Sequence, residues 1–349
     1  MNLRRRPLKR SDISVCIDLL AAHPEFTALY AGRRELLQSV FDKIVGSAGF
    51  LAFLFESTEN QQSKPLGVGA LAFLTDEFAK HAKQPPFFWI GPRIVSDLAS
   101  GKSPILSDES VLRAGALDGL TLYCWPLGFR EPYIQLPEVQ NFLMASFIEE
   151  TRGYKLKEFL GQTTDPAGAL VSLHSGAILL TPGGIYTDLP DDVAPQLLSP
   201  HLFVITREKA LQRVGSWSSS LFVYNPPELG FSRGEQRLLG AALRGLDDDE
   251  LVSDLQISLS AIKKTWRSIY SRVERAGLSI LPSSPQPQRS GDRGKGKKHR
   301  LLNYVREHPE ELRPIATKLL HLSHVPAQQH TPNAGESQLR HRVGRKRVV

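Results

Sequence analysis

Residues 231–273 read FSRGEQRLLGAALRGLDDDELVSDLQISLSAIKKTWRSIYSRV, which is three short amphipathic helices separated by capping residues. Ser232 followed three positions later by Glu235 is a capping box and sets the start of the first helix. Leu238, Leu239, Ala242 and Leu243 form its inner face, and Gly245 ends it, as glycine does where the chain turns left-handed. Asp247 caps a second helix, with Asp248, Asp249 and Glu250 in the first turn complementing the helix dipole. A tight turn through Gln256 and Ile257 leads to Ser258, the N-cap of a third helix. There Ile262, Trp266, Ile269 and Val273 recur at spacings of 4, 3 and 4, one buried stripe.

Charge divides along the same segment. Residues 231–254 carry three basic and six acidic side chains, whereas residues 255–275 carry five basic and one acidic. Lys263, Lys264, Arg267, Ser271 and Arg272 fall outside the apolar stripe, so the third helix can approach phosphates while the second keeps its acids away. That is the layout of a recognition helix. Trp266 lies on the stripe and is assigned to core packing rather than to base stacking. The chain as a whole has a net charge of +7, yet from Arg289 onward fourteen Lys/Arg face five Asp/Glu, so the basic excess sits at the C-terminal end. Such an asymmetry predicts a polyanion partner there. Trimming the chain after Leu281 is expected to weaken that binding and flatten its salt dependence.

The segment resembles the LuxR/GerE-type helix-turn-helix of bacterial transcription regulators, without a gap from Phe231 to Val273. The resemblance is carried by Phe231-Ser232, Glu235, Leu238-Leu239, Gly245, Glu250-Leu251-Val252, Leu255, Ile257-Ser258 and Ala261-Ile262-Lys263. Gly234, Asp248, Ala261 and Thr265 depart from the family pattern. The resemblance implies double-stranded DNA as partner and a homodimer as the binding form. It also implies Ser258, Ser260, Lys263, Lys264, Thr265, Arg267, Ser271 and Arg272 as the DNA-contacting set.

Residues 1–225 read as one α/β domain of sensor or assembly type. Ser11 can cap a helix bearing Ile13, Cys16, Ile17, Leu19 and Leu20, and a second helix runs from about Arg33 to Val45. Strands are expected at 49–55, 66–74, 120–125, 169–173, 177–180, 202–206 and 221–224, with a helix over 137–150. The opening order β-α-α-β-β looks like that of a GNAT acetyltransferase. That family's Q/R-x-x-G-x-G/A signature supplies backbone amides to the pyrophosphate of acetyl-CoA after the fourth strand. Here the corresponding stretch reads TLYCWPLGFREPYIQLP, so a catalytically silent domain, with a small-molecule effector, is expected.

No P-loop, G-x-G-x-x-G, H-E-x-x-H, G-x-S-x-G or Cys/His metal spacing occurs. No catalytic residue, metal or cofactor is therefore assigned. His321 and His324, Gly183-Gly184, and Asp188, Asp191 and Asp192 are each read as ordinary surface or turn features. Two cysteines, Cys16 and Cys124, suggest a reducing compartment, and no run of 18 apolar residues marks a membrane span, so a cytoplasmic location is expected.

The expectation is then an α+β chain with four parts. The α/β domain occupies 1–225 and the all-α LuxR-type unit 226–281. A basic flexible linker at 282–299 leads to a short helix and basic disordered tail at 300–349. Its expected function is sequence-specific DNA binding by a transcription regulator, not an enzyme. The alternative is an N-acetyltransferase domain of the GNAT type fused to a DNA-binding module.

Overall fold

Strand segments in which alternate residues are apolar build a seven-stranded sheet with large side chains on both faces. In the computed structural model, which describes residues 1–21, 29–30, 32–59, 62–181, 186–187, 200–281 and 293–314, the strands are β1 (Asn2–Pro7), β2 (Phe50–Glu59), β3 (Gln62–Leu74), β4 (Phe87–Phe88), β5 (Leu120–Phe129), β6 (Leu156–Thr163), β7 (Ile178–Leu179), β8 (Tyr186–Thr187) and β9 (His201–Thr206). The main sheet has the order β1-β2-β3-β5-β6-β9-β7, and β4 and β8 pair separately. β1, β2, β3 and β5 are antiparallel neighbours. β5 and β6 are parallel, and β9 returns antiparallel to β6 and β7.

Helices α1 (Ile13–Ala21), α2 (Arg34–Ile44), α3 (Asp76–Ala82) and α4 (Ile90–Ala99) bury their apolar sides, with Leu54, Val68, Tyr123, Trp125 and Leu160, on the first face of the sheet. α5 (Asp108–Ala116) follows in the insertion between β3 and β5. The second face carries α6 (Pro137–Thr151), α7 (Pro166–His174), α8 (Arg207–Leu211) and α9 (Trp217–Phe222). Its core is in two pieces. Phe53, Phe55, Leu66 and Phe129 pack with Val139 and Leu143 of α6, and Phe73, Phe159, Phe203 and Ile205 pack with Leu221 and Phe222 of α9.

Two expected strands are helices. Residues 169–173 lie in α7, because the Asp165 carboxylate accepts from the amides of Ala167 and Gly168 and Pro166 takes the first helical position. Residues 221–222 end α9, which Ser216 caps by accepting from the Ser219 amide. Apolar runs this short fit either geometry, and the caps decide.

The helical C-terminal part has a core of its own, built on α10 (Arg233–Leu243), α11 (Asp248–Leu255), α12 (Leu259–Arg275) and α13 (Arg293–Glu307). Both halves of the Ser232/Glu235 capping box form. Asp247 makes a second box with Glu250, and Ser258 caps α12. Gln256 adopts φ 54°, the left-handed turn between α11 and α12. The stripe Ile262, Trp266, Ile269 and Val273 is buried as its spacing predicts.

The expected linker is corrected in part. Residues 293–299 are the first turns of α13, whose Leu301, Leu302 and Val305 complete the helical core. Residues 282–292, the tail 315–349, His321, His324, Gly183-Gly184, Asp188, Asp191 and Asp192 lie outside the described residues. No helix among the described residues is long and apolar enough to cross a membrane.

Candidate functional site

Between the two pieces of the second-face core lies a cavity of about 440 Å³. Its floor is the middle of the sheet, where the strands present small residues: Gly69 on β3, Cys124 on β5 and Gly161 on β6. Its walls are Phe53 and Phe55 of β2, Leu143, Met144 and Phe147 of α6, Gly168 and Ser172 of α7, Phe159, Phe203 and Trp217. Gly161 is required by close approach, since a Cβ there would run into the Phe203 ring.

The chamber sits where the sheet opens. Parallel pairing of β5 with β6 runs from Leu120↔Leu156 to Tyr123↔Leu160 and stops, although β5 continues to Phe129 and β6 to Thr163. Beyond that point each strand keeps only its outer neighbour. Cys124 and Trp125 pair with β3, and Gly161, Gln162 and Thr163 pair with β9. A register shift between Val68/Gly128 and Ala70/Trp125 bends β5 away from β6 at the same level. On the first face this opening is filled. Trp125, Trp89 and Ile90 are buried there, and the Gln162 amide spans to the insertion, donating to the Phe88 carbonyl at 2.9 Å and accepting from the Ile90 amide at 2.8 Å. On the second face, residues of α6 and α7 line the chamber.

Polar groups in the chamber are few and mostly committed. Arg5 of β1 pairs with Glu150 at 2.7 Å, donates to the Ser146 carbonyl at 2.9 Å and lies 5.6 Å from the Phe53 ring centroid. Burial pushes the Cys124 thiol up to about 12, so it is held neutral and is no nucleophile at ordinary pH. No group of three or more His, Cys, Asp or Glu able to hold a metal occurs among the described residues.

The residues assigned to DNA contact lie elsewhere, on α12 and its cap. Ser258, Ser260, Lys263, Lys264, Arg267 and Ser271 are exposed. Thr265 is half-buried and spends its hydroxyl on the Ala261 carbonyl at 2.9 Å. Arg272 turns inward and pairs with the buried Glu235 at 3.2 Å. Lys298, from the basic stretch expected to be free, pairs with Asp248 at 3.2 Å and lies over the Trp266 ring, and Lys297 pairs with Glu274 at 3.3 Å.

No protein-family model matches this chain, nor does any curated protein. Several solved structures do. Mutant forms of the spermidine/spermine N-acetyltransferase SpeG from Vibrio cholerae match at 12% identity over 61% of this chain and 99% of that one, with a TM-score of 0.35. The aminoglycoside acetyltransferase AAC(6')-Ib, in complex with coenzyme A and kanamycin, matches at 10% identity over 61% and 99%, TM-score 0.33. The GNAT-like decarboxylase GphF, in complex with isobutyryl-CoA, matches at 15% identity over 58% and 98%, TM-score 0.35.

The matches fall on acetyltransferases and a GNAT-like decarboxylase, to which the N-terminal part of this chain is similar in fold. The expectation of a DNA-binding regulator with a catalytically silent sheet domain and no enzyme activity is corrected by these matches, which include N-acetyltransferases and a GNAT-like decarboxylase. Most of the described residues build this sheet and the helices that cover it. The missing glycine signature bears on the amides of a pyrophosphate site and says nothing of the opening between β5 and β6. The opening is made by strand pairing and by Gly69, Cys124 and Gly161, and glycine within two apolar strands was the one local signal of it.

Proposed function

We propose that residues 1 to about 225 form an acyltransferase domain of the GNAT type, which takes an acyl thioester in the opening between β5 and β6. The parting of those strands beside the apolar chamber carries this reading. Strand edges that leave a ladder present N–H and C=O groups in need of partners. A slender extended ligand with amide groups of its own can take the place of a strand there. The pantetheine arm of an acyl-CoA is such a ligand, and the aromatic walls suit its apolar portions and the acyl group. When bound, the thioester supplies an activated acyl group. The chain's own contribution is to hold the arm between two strand edges and to exclude water with Phe53, Phe147, Phe159 and Trp217. Polycationic acceptors, of the kind named for the spermidine and aminoglycoside enzymes, gain no support from the chamber: its lining carboxylate, Glu150, is already paired with Arg5.

Titrating the full-length chain with acetyl-CoA and longer acyl-CoAs by calorimetry tests the reading, followed by thiol release in the presence of a panel of small amines. Micromolar binding and accelerated thiol release are expected. Absence of binding at millimolar ligand overturns it.

For the helical unit, the finer reading is a helix-turn-helix of the LuxR/GerE type. The capping boxes, the left-handed Gln256 and the buried stripe on α12 support it. Double-stranded DNA as the partner of its exposed lysines belongs to that fusion reading. Salt-dependent duplex binding that falls when Lys263 and Arg267 are replaced by alanine is its test.

A further inference from the structure

The ends of β5 and β6 run toward the N-termini of two helices, α6 and α7, the places where a diphosphate beside this opening would be held. Both offer an anion few amides. Leading into α6, Pro132 and Pro137 have no N–H to offer. The amides of Tyr133, Gln135 and Leu136 donate to the carbonyls of Arg130, Pro132 and Tyr133, each at 3.0 Å. Those of Val139 and Gln140 both turn back to the Leu136 carbonyl. Glu138 then places a carboxylate in the first turn. At α7 the Asp165 carboxylate occupies the amide positions itself, accepting from Ala167 at 3.0 Å and Gly168 at 2.9 Å. Glu131, Glu138 and Asp165 outnumber Arg130 in these two connections.

The arm of a coenzyme A thioester thus suits the opening, whereas its pyrophosphate meets helix starts whose amides are mostly turned to carbonyls or to Asp165, with carboxylates in both turns. We infer that this chain recognises its acyl donor through the pantetheine arm and acyl group alone, so that its substrate class is acyl-pantetheine thioesters whatever they are attached to. The inference rests on the acyltransferase reading and narrows it. Binding energy comes from the strand edges and the aromatic chamber, and the adenosine phosphates hang outside without attractive contact.

Calorimetry of the full-length chain with S-butyryl-pantetheine and butyryl-CoA, at low and high salt, separates the two ideas. Affinities within tenfold of one another, with butyryl-CoA binding no weaker as salt rises, support the inference, as does S-butyryl-pantetheine binding alone. Butyryl-CoA tighter by tenfold or more, weakening with salt, overturns it and leaves the acyltransferase reading standing. Binding of neither probe overturns both. Asp165→Ser, which keeps a capping oxygen and removes the charge, is expected to tighten butyryl-CoA by a few fold and leave S-butyryl-pantetheine unchanged. Equal affinity of this variant and the parent for butyryl-CoA at low salt also counts against the inference.

Discussion

Gly161 sits beneath the Phe203 ring at the edge of the chamber, and no other residue leaves that ring where it is. In Gly161→Val the new side chain would drive the ring into the space the ligand needs. Crowding of this kind typically costs about 1–3 kcal/mol. The variant should melt earlier and bind acyl thioesters at least tenfold more weakly, and Phe203→Ala in the same chain should restore binding, because it returns the lost room. Thermal unfolding with parallel calorimetry measures both. In the helical unit, burial alone would push the Glu235 carboxyl up. Hydrogen bonds from the Ser232 amide and the Ser268 hydroxyl, with the charge of Arg272, overcome that and hold it below its ordinary 4.5. A depressed folded value means that its contribution is complete above pH 4.5 and is lost as pH falls through the folded value. Glu235→Gln should therefore cost about 1–3 kcal/mol at pH 7. As pH falls through that folded value, parent and variant should converge in urea unfolding. A constant difference across that range would rule out the ionised carboxylate as the cause.

At the scale of elements, α6 is the wall that ties chamber to helical unit. Its inner side supplies Leu143, Met144, Phe147 and Glu150 to the cavity. Its C-terminal carbonyls are capped from 160 residues further along the chain. Arg313 donates to the Arg152 carbonyl at 2.8 Å and the Glu149 carbonyl at 3.0 Å, and its guanidinium lies 4.9 Å from the Tyr154 ring centroid. A cation at a helix C-terminus also complements the dipole. Arg152 returns the contact by donating to the Glu307 carbonyl at 2.8 Å. Removing a charge-assisted capping group of this sort costs about 1.5–3 kcal/mol. Arg313→Ala should then accelerate hydrogen exchange in the last turn of α6, around residues 149–154, while α7 amides exchange as before. Uniform acceleration over the whole sheet domain would instead show that Arg313 supports global stability and not this helix end. None of this was legible beforehand, since Arg313 stands in HPEELRP, a stretch whose sequence carries no sign of a contact with α6.

Over the whole molecule, what was legible in the sequence is what is local. The caps at Ser232, Asp247 and Ser258 and the stripe on α12 are set by residues within a few positions of one another. The chamber is not local. It depends on β1, β2, β3, β5, β6 and β9 meeting in a register that no single segment dictates, and on an insertion whose α3 and α4 cover the first face. The charge count also misled, because it treated Lys297 and Lys298 as free when Glu274 and Asp248 hold them. This changes the expected result of shortening the chain. Trimming after Leu281 was expected to remove a basic appendage from a folded helical unit. It would instead remove Leu301, Leu302 and Val305, all buried in that unit's core, together with the cap on α6. Each such side chain contributes about 1.5–3 kcal/mol on burial, a large part of the stability of a typical domain. A chain ending at 281 should lose the cooperative unfolding of α10–α12, bind a hydrophobic dye and aggregate. A chain ending at Pro314 keeps every contact named here and should melt with the full-length protein. Circular dichroism melts of the two truncations decide the matter: a cooperative, full-height helical transition in the shorter chain would mean that α13 is not part of the core.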